Sequence, residues 1–214
     1  MAVVAGTGAT MNRLTVVWIL VGFAVGARAP ALAQHGQAPG EPVPVESTVV
    51  LLAPVADGNI IDQTPFDGVP DGVLRTHSNV VFLDQGITDM RSVIEFDLVS
   101  LADANVVSAT LELVLWGKAI PPGLSIAPVE IRTFPADGFV RHRDFHRGQF
   151  VDVFDALPAS FDVPVSIDVT KEVQRGIFSS SRILGFILRT NSGAQIDFGS
   201  LELGTPPALV VTLE

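Results

Sequence analysis

From Ser47 to its end this chain alternates between apolar and polar positions, and that period of two limits its fold more than any other feature. Ala109, Leu111, Leu113 and Leu115 interleave with Thr110, Glu112, Val114 and Trp116. Ile94, Phe96 and Leu98 interleave with Val93, Glu95 and Asp97. The same rhythm recurs at Val129, Ile131 and Thr133, at Val163, Val165, Ile167 and Val169, and at Leu209, Val211 and Leu213. Successive side chains of a strand point to opposite faces, so each run offers one apolar face and one mostly wetter one. Many such runs, punctuated by Gly, Pro, Asp and Asn, predict an antiparallel sandwich or barrel. Pro164 demotes its strand to an edge or a bulge, because it cannot donate to a ladder. No repeat of fixed period is present, which disfavours solenoids and propellers.

A single segment has helical character. Asp168 or Thr170 can cap the free N–H groups before residues 171–177, Val169 and Val173 share a face, and Gly176 supplies a left-handed stop. The fold class expected is therefore all-β, with one short helix as decoration.

The first 33 residues read as an address. Arg13 precedes an uncharged apolar stretch, residues 14–27, which is short for a bilayer span of roughly 20 residues. Ala31-Leu32-Ala33 then places small residues where a signal peptidase cuts. Residues 1–33 are expected to be a signal peptide, with Met11 the natural start and cleavage after Ala33. Residues 34–46, with Pro39, Pro42, Pro44, Gly36 and Gly40, have linker composition. The folded domain is expected over residues 47–214, secreted to periplasm, cell surface or medium, with no membrane span in the mature chain.

Composition then closes several doors. The whole chain carries 13 Lys plus Arg against 23 Asp plus Glu, a formal charge of −10. Loss of the leader removes Arg13 and Arg28 and no acid, so the mature charge is −12. A nucleic-acid groove needs a basic surface, so no nucleic-acid partner is expected. With no Cys there is no disulfide, thiolate metal site or cysteine nucleophile. There is no nucleophile elbow, P-loop or dinucleotide fingerprint.

Three segments carry chemistry worth weighing. Asp57-Gly58-Asn59, Asp62, Asp67, Asp71, Asp84 and Asp89 offer the hard oxygens that calcium takes. The same residues are ordinary turn formers between strands, and their spacing is not that of an EF-hand. In the run Arg141-His142-Arg143-Asp144-Phe145-His146-Arg147, two His stand four apart, but Arg143 occupies the place where a metalloprotease needs Glu, and three Arg repel a cation. Arg141 and Arg143 can instead hold a carboxylate or uronate, and a solvated loop is the alternative. Glu95 and Asp97 share a strand face, as a pair of glycosidase carboxylates would, and as any polar strand face does by chance.

The order of segments also resembles a known family. Residues 91–98 (Arg-Ser-Val-Ile-Glu-Phe-Asp-Leu) are followed by residues 108–113 (Ser-Ala-Thr-Leu-Glu-Leu), then by Ile167-Asp168-Val169-Thr170 and Gly185-Phe186-Ile187-Leu188. Phe198-Gly199-Ser200-Leu201-Glu202 and Pro207-Ala208-Leu209-Val210-Val211 close the chain. This order resembles the DNRLRE-type secreted β-sandwich domains, related to disaggregatase repeats and carbohydrate-binding modules, over essentially all of residues 47–214. The resemblance implies a jelly-roll β-sandwich. It also implies a structural calcium where the first and last strands meet, which by position names Asp57 and Glu202. Such domains usually carry Trp in the middle segment and before the last helix-like turn, regions where this chain offers residues 134–138 and 148–150, and the Phe there, Phe134 and Phe150, are read either as core replacements or as remnants of a binding surface.

The functional expectation is a non-catalytic carbohydrate-binding-module-like domain for extracellular or cell-surface polysaccharide. A structural or adhesion domain of the envelope or matrix, with an envelope protein as partner, stands beside it, and a glycan-active enzyme using Glu95 and Asp97 stands behind both. After the leader is lost the chain keeps one Trp and has no Tyr. Trp116, on the wetter parity of its strand, is thus the sequence's aromatic candidate for a sugar platform, the alternative being that it packs under a loop.

Overall fold

The computed structural model describes residues 47–63, 68–74, 79–84 and 88–214. The expected leader, the linker and Asp67 lie outside the described residues. The elements in chain order are β1 (Thr48–Leu52), β2 (Ala56–Asp62), β3 (Gly72–Leu74), β4 (Asn79–Asp84), β5 (Thr88–Asp97) and β6 (Val106–Ala119). They continue with β7 (Pro128–Pro135), β8 (Gln149–Asp155), β9 (Pro164–Asp168), helix α1 (Thr170–Ile177), β10 (Ile183–Thr190), β11 (Gln195–Phe198) and β12 (Ala208–Leu213). Two short 3-10 turns, Val99–Leu101 and His142–His146, complete the set.

Among the described residues every strand pairing is antiparallel, giving an all-β sandwich of jelly-roll type with one short α-helix. One sheet runs β1-β12-β6-β9. The other runs β8-β7-β10-β5-β2-β3. The 14-residue strand β6 belongs to both, because its second half pairs with β11, which leads through β4 to β5. Pro164 lies in β9, which pairs with β6 alone, so the proline sits in an edge strand as its missing donor requires.

The period of two becomes the main core directly. Ala109, Leu111, Leu113 and Leu115 of β6 meet Ile94 and Phe96 of β5, Val129 and Ile131 of β7, Phe186 and Leu188 of β10, and Leu209 and Val211 of β12, all in one buried cluster. Burying each large side chain is worth roughly 1.5–3 kcal/mol. Helix α1 adds Val173 and Ile177 to that cluster. The N-cap is Val169, which carries no side-chain cap, so neither Asp168 nor Thr170 is the cap residue; Asp168 instead accepts the Thr170 N–H at 3.0 Å in a local turn just before the helix. Gly176 corrects the sequence reading. It lies inside α1 and does not terminate it with left-handed geometry. A Cβ there would come within 2.8 Å of Leu98 Cδ1, so this glycine lets the helix approach the sandwich closely.

A second, smaller core covers the opposite face of the second sheet. Ile60, Val93 and Ile187 on β2, β5 and β10 pack with Phe134, Ala136 and Phe145. Residues 136–148 run across this face as a strap, with the His142–His146 turn at their middle. Two glycines make room for it. A Cβ on Gly185 would meet the Phe134 ring at 2.5 Å. Gly148 ends the strap at φ +98°, a conformation side chains resist, and a Cβ there would lie 2.9 Å from Arg132 Cβ.

Candidate functional site

The strap explains what became of the arginine-rich run. Arg141 Nε lies 3.3 Å from Asp137 Oδ2, and Arg143 Nη2 also pairs with Asp137. Both guanidinium groups nominated for a ligand are therefore engaged by a carboxylate of the same strap. Asp144 is buried, accepting the Arg141 N–H at 2.8 Å and Arg147 Nη1 at 3.0 Å. His146 Nε2 lies 2.6 Å from the Gly68 carbonyl oxygen, tying the strap toward β2. Arg91 of β5 stacks on the Phe145 ring at 3.8 Å and pairs with Asp89 at 2.5 Å. The two His are thus parts of a packed turn, and among the described residues no group of three or more His, Asp or Glu converges as a metal site.

Glu95 lies beneath this strap, on the face with Val93. It is fully buried, and its Oε2 accepts the Gly138 N–H at 2.7 Å, while Oε1 is buried with no hydrogen-bond partner. Burial pushes its carboxyl up to about 7 and the charges of Asp144 and Asp137 push the same way, against the backbone amides of Gly138 and Phe139. Asp97, its partner on the same strand parity, is exposed and accepts the Val99 N–H at 2.8 Å. The two carboxylates share a strand face, as expected, but one is sealed and the other is in solvent.

Asp57 and Glu202 are close enough to interact electrostatically. Asp57 is buried, its Oδ2 accepting Asn79 Nδ2 at 3.0 Å and the Leu201 N–H at 3.1 Å. Burial raises its carboxyl above the ordinary value, the two hydrogen bonds pull it back, and Glu202 adds to the rise. Its Oδ2 is therefore spent joining the start of β2 to β4 and to the turn before β12.

Trp116 is 51% exposed, and its Nε1 donates to Thr205 Oγ1 at 2.7 Å. It continues the wetter parity of β6, and a bulge falls at the same residue. Phe198 of β11 pairs with Leu115 while Asp197 pairs with Gly117, so Trp116 is the extra residue on β6.

The groove that stands out lies elsewhere. About 440 Å³ opens between α1 and the ends of β7, β8 and β10. Phe134, Pro135 and Leu184 supply apolar lining, and Arg147, Gln149, Glu172 and Arg175 supply polar groups. Neither Glu172 nor Arg175 makes an ion pair among the described residues. The sequence did not single out these two, although the helical spacing held the clue. Once Val173 and Ile177 turn inward, Glu172 and Arg175 are left to flank them. Trp116, Arg141 and Arg143 do not line this groove. The chain matches no protein-family model and no curated protein.

Proposed function

We propose that this domain is a secreted, non-catalytic glycan-binding module that holds extracellular or cell-surface polysaccharide in the groove beside α1. The observation that carries the proposal is the groove's lining. An apolar wall suits the C–H faces of a sugar ring, and the amide, carboxylate and guanidinium groups of Gln149, Glu172, Arg147 and Arg175 suit its hydroxyls. The non-catalytic assignment is supported by the carboxylates. Glycoside hydrolysis takes two of them across the scissile bond, and among the described residues Glu172 is the one carboxylate lining this groove, with Glu95 sealed behind the strap. The leader-like residues 1–33 support delivery outside the cytoplasm.

The test is binding to a panel of immobilised polysaccharides by wild type, Arg175→Ala, Glu172→Gln and Trp116→Ala. Each groove variant is expected to weaken binding by roughly tenfold or more, the equivalent of about 1.4 kcal/mol, and Trp116→Ala to leave it unchanged. Loss of binding in Trp116→Ala alone would move the ligand to the indole and overturn the groove. A second reading, an adhesion or structural domain of the envelope or matrix, is favoured by exposed apolar side chains on two edge strands. These are Val49 and Leu51 on β1, and Phe150 and Val153 on β8. Failure of every glycan together with retention on envelope material would select it.

A further inference from the structure

Among the described residues, the arginines on and against the strap are matched to acids other than Glu95. Arg91 pairs with Asp89, Arg141 and Arg143 with Asp137, and Arg147 with Asp144. Glu95 receives a backbone N–H from Gly138, with the Phe139 backbone amide acting in the same sense, has no cation among the described residues, and its Oε1 is buried without a partner. The groups facing it are Asp137 and Asp144 from the strap, which also carries His142 and His146. Its cross-strand neighbours are Gly185 on β10 and Ala56 on β2, neither of them charged. On its own strand Arg91 and Asp89 are already joined, Asp62 on β2 accepts the Gly68 N–H, and Glu130 and Arg132 of β7 pair with each other. A neutral carboxyl in this place has a proton to donate and repels nothing. An ionised one is a desolvated anion facing two more carboxylates.

We propose that residues 136–148 are a proton-gated strap, seated on the sheet while Glu95 is protonated and released when it ionises, and that release dismantles one wall of the groove. The connection is covalent and short. Gly138 and Asp144 sit over Glu95, Asp144 holds Arg147, and Arg147, Gly148 and Gln149 line the groove. Only the consequence at the groove rests on the glycan-binding reading. The gating of the strap stands apart from it.

The decisive experiment follows the Glu95 side-chain carboxyl by carbon NMR in the full chain and, in the same samples, amide exchange of Gly138, Arg141 and Arg147 against the β6 amides. After correction for intrinsic rates, strap exchange relative to β6 is expected to rise roughly tenfold between about pH 6 and about pH 8, following the Glu95 titration. Glu95→Gln is expected to abolish the rise, which separates Glu95 from His142 and His146. A Glu95 carboxyl that ionises near the ordinary carboxylate value, or strap protection that ignores its titration, overturns the proposal, and both are read on wild type even where the variant fails to fold. Any glycan found by the panel should bind more weakly at about pH 8 than at about pH 6 in wild type. Absence of glycan binding at both would remove the functional reading and leave the exchange result to decide the strap.

Discussion

Phe134 and Phe150, the two phenylalanines read from sequence either as core or as binding surface, have opposite environments. Phe134 is 3% exposed, fills the space that Gly185 leaves, and lies under the Arg147 guanidinium at 4.9 Å. Phe150 is 59% exposed on the edge strand β8. Removing a buried ring costs the lost transfer energy and the cavity left behind, so Phe134→Ala is expected to destabilise the domain by about 3–5 kcal/mol. Phe150→Ala should stay within about 0.5 kcal/mol, as surface substitutions do. Urea unfolding of the two variants checks the contrast, and equal losses would mean that Phe150 is also packed. Sequence alone left both alternatives open for both residues, because parity assigns a side chain to a face of its strand and says nothing of what covers that face. Glu95 shows the same limit. Its position between Ile94 and Phe96 put it correctly on the face opposite the main core, and the cover supplied by a strap more than 40 residues downstream follows from tertiary contacts, not from any local pattern.

The elements themselves were more legible than their surroundings. The buried sets of β6, β12 and the inward half of β5 coincide with the alternating apolar residues, because one period serves one face. The strap had no such period. Residues 136–148 set the charged side chains of three arginines around Ala136 and Phe145, and their second core forms only when Phe134 and the sheet's own Ile60, Val93 and Ile187 are beneath them. The groove was invisible for a related reason: its lining comes from α1, three strands and the strap's end, so no single segment announces it. This division of labour predicts a separable element. Replacing residues 137–147 with a short Gly/Ser link should leave the main core folded, since that cluster contains no strap residue. It should also expose Ile60, Val93 and Ile187. Far-UV circular dichroism is expected to stay close to wild type, while a hydrophobic dye gains a new binding site and the melting temperature falls. A variant that loses its β signal altogether would show that the strap is needed for the sandwich itself.

At the scale of the whole molecule, acids of two kinds set the response to pH. Glu95 and Asp57 have raised carboxyls, through burial first and nearby negative charge after it. Glu130 is pushed up by burial, but hydrogen bonds and charge from Arg189 and Arg132 outweigh that and hold it below its usual value. Asp168 is lowered by the Thr170 hydroxyl and amide at the start of α1. The signs oppose one another. A raised acid favours the folded state at low pH, and that advantage is lost as the unfolded chain ionises and the pH rises through the folded value. A lowered acid stabilises above its ordinary range and loses that contribution as the pH falls. The net charge of −10 adds repulsion as carboxylates ionise. For Glu95, held at about 7 against an ordinary 4.5, the linkage amounts to about 3 kcal/mol lost across that interval. Thermal melts should therefore peak on the acid side of neutrality and decline by several degrees toward about pH 8. Glu95→Gln should flatten the decline without moving the acid limb, which belongs to Glu130 and Asp168. Repeating the series at high salt separates the buried acids from general charge repulsion. General charge repulsion is screened within a Debye length of roughly 10 Å or less, whereas a carboxyl sealed under the strap is shielded from mobile ions. A decline that vanishes in salt would assign it to the surface charge, and one that persists in salt and disappears in Glu95→Gln assigns it to the buried acid.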